Sequence, residues 1–376
     1  MATRAALALV LSAFVVQSAP PPLPSAAPSS VGVDAGKLQE AVQLYRDAVK
    51  RDDIRGVVLY VARRGKVILH EAIGWAHHAY QVPMKKDTLF RMASNTKPVV
   101  AAGVVKLAED GALAFSDPVA KYLRAFDNEK SRRITIDQLL THSSGFRIQP
   151  IFYPFGADDE RTLQAAVAKF GAEGPAAEAG TYSYSNPGYN TLAAVIEVVS
   201  KKSLEDYLKS AIYDPLGMSD TLNHEDPTKL ARMATVYRGR GGRAGGPVVF
   251  TQGFVPGDPP DFPVIRGSGG LISTAADYAR FLEMYRLGGA YAGKRILTES
   301  SVKAAITPRV KSGGDQSYGY GWMIRPDGSY SHSGSDGTLA WVDPSRELIA
   351  MILTQSPGGR NPNAEFRKLI EASITK

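Results

Sequence analysis

Apolar residues follow two different periods along this chain, and the changes between them outline the fold. After Asp34, which is placed to cap a helix, Leu38, Val42, Tyr45 and Val49 recur at helical spacing. Shorter apolar runs at 57–62 and 67–75 then predict two strands, joined as a hairpin by a basic turn that contains glycine.

The same two periods return near the other end of the chain. A helix is predicted over 275–287 and a closing helix from about 364, and between them lie four predicted strands: 318–324, 330–333, 339–342 and 348–354. The middle of the chain favours short helices and loops, with the clearest helical runs at 192–199 and 204–213.

These elements predict an α/β (α+β) fold. Two early strands that must pair with later ones imply an antiparallel sheet built from both chain ends, flanked by helices, with a mostly helical lobe inserted. We expect one catalytic domain over 34–376, in which 34–95 and 262–376 form the α/β lobe and 96–261 the helical lobe.

Composition removes several classes of function. The chain has 376 residues, 44% of them hydrophobic and 22% charged, which is typical of a globular protein. Its net charge of +7 is spread along the chain without a basic block, so we expect a solvated surface and no nucleic-acid partner.

The N-terminus predicts export. Arg4 precedes an apolar run over 5–16 that is too short to span a bilayer but suits a secretory signal over 1–18, with a buried helix as the alternative. Residues 19–33, rich in proline, alanine and serine, read as a flexible lead-in. Because the chain has no cysteine, a disulfide and a lipidated cysteine are excluded, and we expect a secreted or periplasmic protein without stable membrane insertion. The sequence does not determine the oligomeric state.

The strongest chemical signal is Ser94 with Lys97 at a predicted helix start. Side chains three residues apart share a helix face, so the lysine can take the serine proton if its pKa is lowered. A helix start also offers unpaired N–H groups for an oxyanion. The same spacing at Ser300 and Ser373 lacks the companion motifs that follow Ser94 in order.

Two later motifs could complete a site, although each alone is also compatible with a purely structural role. Tyr184-Ser185-Asn186 precedes an apolar helix and supplies a phenol for proton transfer and an amide that could hold a substrate carbonyl or the lysine. His332-Ser333-Gly334-Ser335 ends a predicted strand, where small residues on an edge would let a substrate approach the backbone.

Together these motifs resemble the serine hydrolases that share the fold of class C β-lactamases and penicillin-binding proteins, a group that includes family VIII esterases. Four further stretches look like that family's signatures: 139–145 (LLTHSSG), 214–218 (DPLGM), 269–277 (GGLISTAAD) and 342–344 (VDP). The resemblance implies the two-lobed fold, with Ser94 in the cleft between the lobes.

The resemblance also implies roles for the site residues. Ser94 would attack a carbonyl, and Lys97 with Tyr184 would take its proton and return it to the leaving group before water hydrolyses the acyl-enzyme. The backbone N–H groups of Ser94 and Ser335, the latter after Gly334, would bind the oxyanion, and Asn186 would orient the acyl group. No metal or organic cofactor is implied.

His332 stands where many β-lactamases of this fold have lysine, and a neutral imidazole anchors a β-lactam carboxylate less well than an ammonium. Related esterases and D-alanyl-D-alanine carboxypeptidases can carry histidine there, so His332 disfavours a β-lactamase without choosing between those two. We expect a carboxylesterase acting on small esters. The alternatives, in order, are a D-alanyl-D-alanine carboxypeptidase or D-aminopeptidase acting on amides, and a weak β-lactamase. A penicillin-binding-like module without catalysis is the non-enzyme alternative, while an α/β-hydrolase is disfavoured because the chain has no Gly-x-Ser-x-Gly.

Overall fold

The computed structural model describes residues 19–157, 160–241, 246–259, 262 and 264–375. The predicted signal segment, 1–18, lies outside these ranges. The α-helices within them are α1 Ala35–Lys50, α2 Thr96–Glu109, α3 Ile136–Leu140, α4 Leu163–Glu173, α5 Asn186–Ser200, α6 Leu204–Leu208, α7 Asp214–Leu216, α8 Ala275–Arg286, α9 Glu299–Ala305 and α10 Asn363–Ala372.

The strands in the same ranges are β1 Gly56–Arg63, β2 Lys66–His77, β3 Val82–Pro83, β4 Phe90–Arg91, β5 Val236–Arg240, β6 Val249–Phe254, β7 Ile272–Ser273, β8 Ala290–Tyr291, β9 Lys294–Arg295, β10 Val310–Gly313, β11 Gln316–Tyr318, β12 Met323–Ile324, β13 Tyr330–Gly334, β14 Thr338–Asp343 and β15 Leu348–Thr354.

Both chain ends build the main sheet, as the sequence predicts. In the described residues it has nine antiparallel strands in the order β10-β11-β12-β13-β14-β15-β1-β2-β3. The junction between the two ends is the pairing of β1 with β15, from Val57 with Thr354 to Arg63 with Leu348. The predicted antiparallel α/β class is therefore confirmed, while the lobe boundaries stay a prediction.

Alternate residues of β1 explain why helices cover both faces of the sheet. Val57, Leu59 and Val61 belong to the core formed with α1 and α10, whereas Val58 and Tyr60 belong to the larger core on the other face, where α8 contacts β1. A strand buried on both faces reads as a continuous apolar run, and β1 is buried along its whole length. Helix α1 begins as predicted, with the Asp34 carboxylate accepting hydrogen bonds from two backbone N–H groups of its first turn.

One strand prediction is wrong and one hairpin was missed. The strand predicted over 318–324 is broken between β11 and β12, because Gly321 adopts a left-handed φ of 82° in a loop that packs on the start of α2. The helical run predicted over 204–213 is confirmed, although α6 passes at Leu208 into a π-helical turn, Lys209–Tyr213. The hairpin β5–β6 was not predicted, because only its ends are buried and its exposed residues carry no apolar alternation.

Residues 19–33, for which composition predicts a flexible lead-in, lie against the body of the protein. Leu23 and Val31 are buried, and the Ala26 N–H donates to the Val67 carbonyl at 2.9 Å. The Arg63 guanidinium donates to the Val31 carbonyl at 2.8 Å. In the part of the chain that is described, the helices are too short or too polar to cross a membrane.

Candidate active site

Ser94 lies in a 3-10 turn, Ala93–Asn95, between β4 and the start of α2. Ala93 adopts a left-handed φ of 46°, an unfavourable conformation for alanine that surrounding bonds must maintain. The turn is held by the Tyr278 hydroxyl, which donates to the Asn95 carbonyl at 2.9 Å, and by the Thr96 hydroxyl, which donates to the Ala93 carbonyl at 2.6 Å. Ser94 itself is partly exposed, so a substrate can reach it.

Lys97 is fully buried, and its amine has three polar neighbours among the described residues. Nζ lies 3.0 Å from Ser94 Oγ, 2.9 Å from Asn186 Oδ1 and 2.7 Å from the Ser268 carbonyl oxygen. Burial, and after it the charge of Arg266, hold the pKa of Lys97 well below its ordinary value. A neutral amine would donate its two N–H bonds to the amide and carbonyl oxygens, which leaves its lone pair facing the Ser94 hydroxyl.

The Tyr184 ring contacts the same amine. Lys97 Nζ lies 4.7 Å from the centroid of the Tyr184 ring, and the phenol is hydrogen-bonded to Ser94. Burial raises the pKa of Tyr184 above its ordinary value, and the bond with Ser94 opposes that rise without cancelling it. The phenol therefore stays protonated at neutral pH and is suited to pass a proton on rather than to act as a tyrosinate base.

Asn186 connects the lysine to a neighbouring loop. The helix starts at this residue, with Ser185 as its N-cap, so the Tyr-Ser-Asn motif spans the helix start instead of preceding it. While its Oδ1 contacts Lys97, its Nδ2 donates to the Ile148 carbonyl at 3.0 Å. Of the two uses considered for this amide, holding the lysine fits the geometry better than orienting the acyl group.

His332 is buried and turned towards Tyr318. Its Nδ1 lies 2.9 Å from the Ser333 carbonyl oxygen, which can only accept, so Nδ1 carries the proton and Nε2 accepts from the Tyr318 hydroxyl at 3.1 Å. Burial lowers the pKa of His332 to about 3, and Lys97 acts in the same direction whenever its amine is protonated. The imidazole is neutral at physiological pH, as the sequence led us to expect.

Gly334 brings β13 against the turn that carries Ser94. A Cβ at Gly334 would lie 2.4 Å from the Met92 carbonyl oxygen, so a side chain at this position would push the two segments apart. The exposed Ser335 follows directly, which is consistent with its N–H and that of Ser94 facing one oxyanion.

The prediction of an edge strand needs a correction here. β13 lies inside the sheet, but β12 pairs only with Tyr330 and Ser331. Among the described residues, the last three residues of β13, His332 to Gly334, therefore pair with a strand on one side only, and that strand is β14. The strand is an edge just where a substrate would lie.

Sequence reasoning assigned no role to His142, although it lies in one of the signature stretches. It is fully buried with a left-handed φ of 58°, and its Nδ1 accepts the Ser185 N–H at 3.0 Å. Its ring lies 4.3 Å from that of Tyr184, centroid to centroid. The Ser268 carbonyl was missed for a different reason, because a backbone acceptor leaves no signal in residue type.

The two other serine–lysine spacings form no comparable site. Ser300 lies in the first turn of α9, and its hydroxyl is 3.0 Å from that of Thr298. The Ser373 hydroxyl donates to the Ile370 carbonyl, and Lys376 lies outside the described residues. Within the described ranges, no group of three or more histidine, aspartate or glutamate side chains is placed to hold a metal ion.

Known proteins resemble this chain over most of its length. A family model described as Beta-lactamase matches residues 41–373. PbpX of Bacillus subtilis (strain 168), provisionally named a penicillin-binding protein, is 27% identical over 274 residues, which are 73% of this chain. The match covers 63% of that relative, so the chain spans less than two thirds of its length.

Two further matches cover nearly the whole length of the known protein. A protein of Salmonella paratyphi B (strain ATCC BAA-1250 / SPB7), provisionally named a D-alanyl-D-alanine carboxypeptidase, is 26% identical over an alignment 418 positions long, which covers 98% of this chain and 94% of that protein. The solved structure of EstCE1, described as a hydrolase with promiscuous acyltransferase activity, has a TM-score of 0.75 at 21% identity and covers 90% of this chain and 98% of its own. This second likeness shows a shared fold.

Proposed function

The chain belongs to the beta-lactamase family of serine hydrolases, and from that membership we propose that it is a carboxylesterase that acts on small esters through an acyl-enzyme on Ser94. The observation that carries the proposal is the pairing of a buried amine of lowered pKa with a partly exposed serine hydroxyl at 3.0 Å.

In acylation, neutral Lys97 takes the Ser94 proton as Oγ bonds to the ester carbonyl carbon. The carbonyl electron pair moves to oxygen, and the N–H groups of Ser94 and Ser335 stabilise the resulting oxyanion by donating hydrogen bonds to it. The pair returns, the bond to the alkoxide breaks, and Tyr184 protonates that leaving oxygen while regaining a proton from Lys97.

In deacylation, water takes the place of the alcohol. Its oxygen attacks the acyl carbon while its proton passes to the Lys97 and Tyr184 pair. The bond from the acyl carbon to Ser94 Oγ then breaks, and that oxygen recovers a proton. Hydrolysis of one ester thus yields one acid and one alcohol, and the enzyme is restored.

The state of His332 favours neutral esters over β-lactams. A substrate carboxylate would gain from a cation at this position, but the imidazole is neutral and its Nε2 already accepts from Tyr318. A D-alanyl-D-alanine carboxypeptidase or D-aminopeptidase is the second candidate, because the provisional name of the Salmonella relative points to that chemistry. We also propose export, on the strength of the apolar run over 5–16.

Parallel assays of a p-nitrophenyl ester, a D-Ala-D-Ala peptide and a chromogenic cephalosporin test the proposal. We expect the ester to have the highest kcat/KM, and Ser94→Ala to lose both turnover and labelling by a fluorophosphonate. Ser300→Ala is the matched control and should label normally. Faster cleavage of the peptide would favour the second candidate, and labelling that survives in Ser94→Ala would refute the assignment of the nucleophile.

A further inference from the structure

An apolar pocket beside the Ser94 turn is not used in the proposed mechanism. Its volume is about 440 Å³, and its walls include Leu230, Phe254, Ile265, Leu271 and Ile272. An apolar cavity of about 150 Å³ is enough to hold a benzene molecule, and most ligand sites exceed about 300 Å³. The pocket therefore has room for a group much larger than acetyl.

One wall of the pocket is bonded directly to the segment that carries Ser94. The Met92 N–H donates to the Leu271 carbonyl at 2.8 Å, and the Leu271 N–H donates to the Thr96 hydroxyl at 2.9 Å. Gly269 also lies against the turn, since a Cβ there would be in van der Waals contact with the Ala93 carbonyl carbon at 3.6 Å. A group that occupies this pocket thus lies next to the turn and within reach of the reacting carbonyl.

The charged side chains around the pocket have other contacts. Arg91 pairs with Asp336 at 3.3 Å and stacks on the Phe254 ring at 4.1 Å. Two acidic side chains at the rim accept backbone hydrogen bonds, Glu225 from the Gly257 N–H and Asp258 from the Val255 N–H. Arg266, which also lines the pocket, donates to the Gly269 carbonyl at 3.2 Å and stacks on the Phe262 ring at 4.0 Å. His224 pairs with Glu205 at 2.6 Å. Because these charged groups are engaged, the apolar walls are the surface that selects a ligand.

A second cleft, of about 290 Å³, reaches the site only at Tyr184 and His332, while the rest of its lining includes Ser331, Ser333, Leu339 and Arg367. In the proposed mechanism Tyr184 protonates the leaving oxygen, so the alcohol departs beside Tyr184. Tyr184 does not line the apolar pocket, which is therefore left for the acyl group.

We propose that the pocket walled by Leu230, Phe254 and Leu271 is the acyl-binding subsite, and that the preferred substrates carry an apolar acyl group of roughly six to ten carbons. This proposal rests on the proposed function. It defines the substrate class as esters of medium-chain or arylalkyl acids with a small or polar alcohol.

Two ester series test the assignment in the full-length wild-type protein. One lengthens the acyl group of a p-nitrophenyl ester from acetyl to octanoyl, and the other keeps acetyl and lengthens the alcohol. Each methylene buried in the pocket improves kcat/KM roughly fourfold, so octanoyl should exceed butyryl by about 10²-fold if all four added methylenes are buried. The alcohol series should be flat, and a gain that follows the alcohol would overturn the assignment.

Leu230→Trp fills the pocket and should lower the octanoate to acetate ratio of kcat/KM at least tenfold. The matched control is Leu287→Trp, the same change at an exposed position at the end of α8, which should leave the ratio unchanged. An equal drop in both variants, or none in either, would refute the subsite. The wild-type series reports independently if Leu230→Trp does not fold.

Labelling rates separate this proposal from the proposed function. Phosphonates with methyl or octyl on phosphorus place that chain where an acyl group lies, and Ser94 should react faster with the octyl compound. Labelling without dependence on chain length would refute the subsite alone. No labelling of Ser94 by either compound would refute the proposed function and the subsite with it.

Discussion

Exchanging Asn186 for aspartate tests whether the neutral form of Lys97 drives the reaction. Asn186 Oδ1 lies 2.9 Å from the lysine amine, and an aspartate of nearly the same shape would place a negative charge there. An opposite charge this close favours the ammonium and typically moves a pKa by about 1–3 pH units. Since burial is the main cause that holds the pKa of Lys97 low, the carboxylate should raise it.

The expected result is a displaced pH profile. At a pH below the wild-type pKa, each unit by which that pKa rises removes roughly nine tenths of the neutral amine, so kcat/KM on the acid limb should fall by about 10- to 10³-fold and recover at higher pH. Measuring kcat/KM for a p-nitrophenyl ester from roughly pH 5 to 10 locates the acid limb, which reports the free enzyme.

The control for this experiment is Asn186→Leu, which removes the same hydrogen bonds without adding a charge. It should lower activity across the whole pH range and leave the acid limb at or below its wild-type position. The reasoning would be refuted if Asn186→Asp kept the wild-type profile, or if both variants lost activity equally at every pH.

Three further predictions follow from the same contacts. Lys97→Ala and Tyr184→Phe should each lower kcat by roughly 10²-fold or more, and their effects should not multiply in the double variant because both serve one proton path. Lys97→Met should raise Tm above that of the wild type most strongly at low pH. Between the lowered folded-state pKa of Lys97 and its ordinary value, the unfolded chain binds a proton that the folded protein does not, so wild-type stability rises with pH. The difference in Tm between variant and wild type should therefore shrink towards pH 10. His332→Lys should raise the ratio of cephalosporin to ester kcat/KM by about 10-fold or more, as a charge-assisted bond to a carboxylate would. Tyr318→Phe removes the donor to His332 without adding a charge, so an equal change in that variant would count against charge recognition.

Local patterns in the sequence were sufficient to predict the catalytic pair and most strands of the main sheet. The Ser94 and Lys97 pair depends on a spacing of three residues, which brings two side chains together in a helical turn whatever surrounds them. The strands β1, β13, β14 and β15 were identified because burial on one or both faces leaves an apolar pattern in the sequence. The break between β11 and β12 was missed because Gly321 is required by a contact with α2, not by its neighbours in sequence.

Only the tertiary structure decided what the lysine amine can do. Two of its partners, Asn186 and the Ser268 carbonyl, lie 89 and 171 residues further along the chain, and one of them is a backbone atom. The neutral state of His332 likewise depends on burial, and its Nε2 accepts from Tyr318, which lies on another strand. Sequence spacing determines which neighbouring groups can meet, whereas a pKa and the direction of a lone pair depend on desolvation and on acceptors that folding brings from distant parts of the chain.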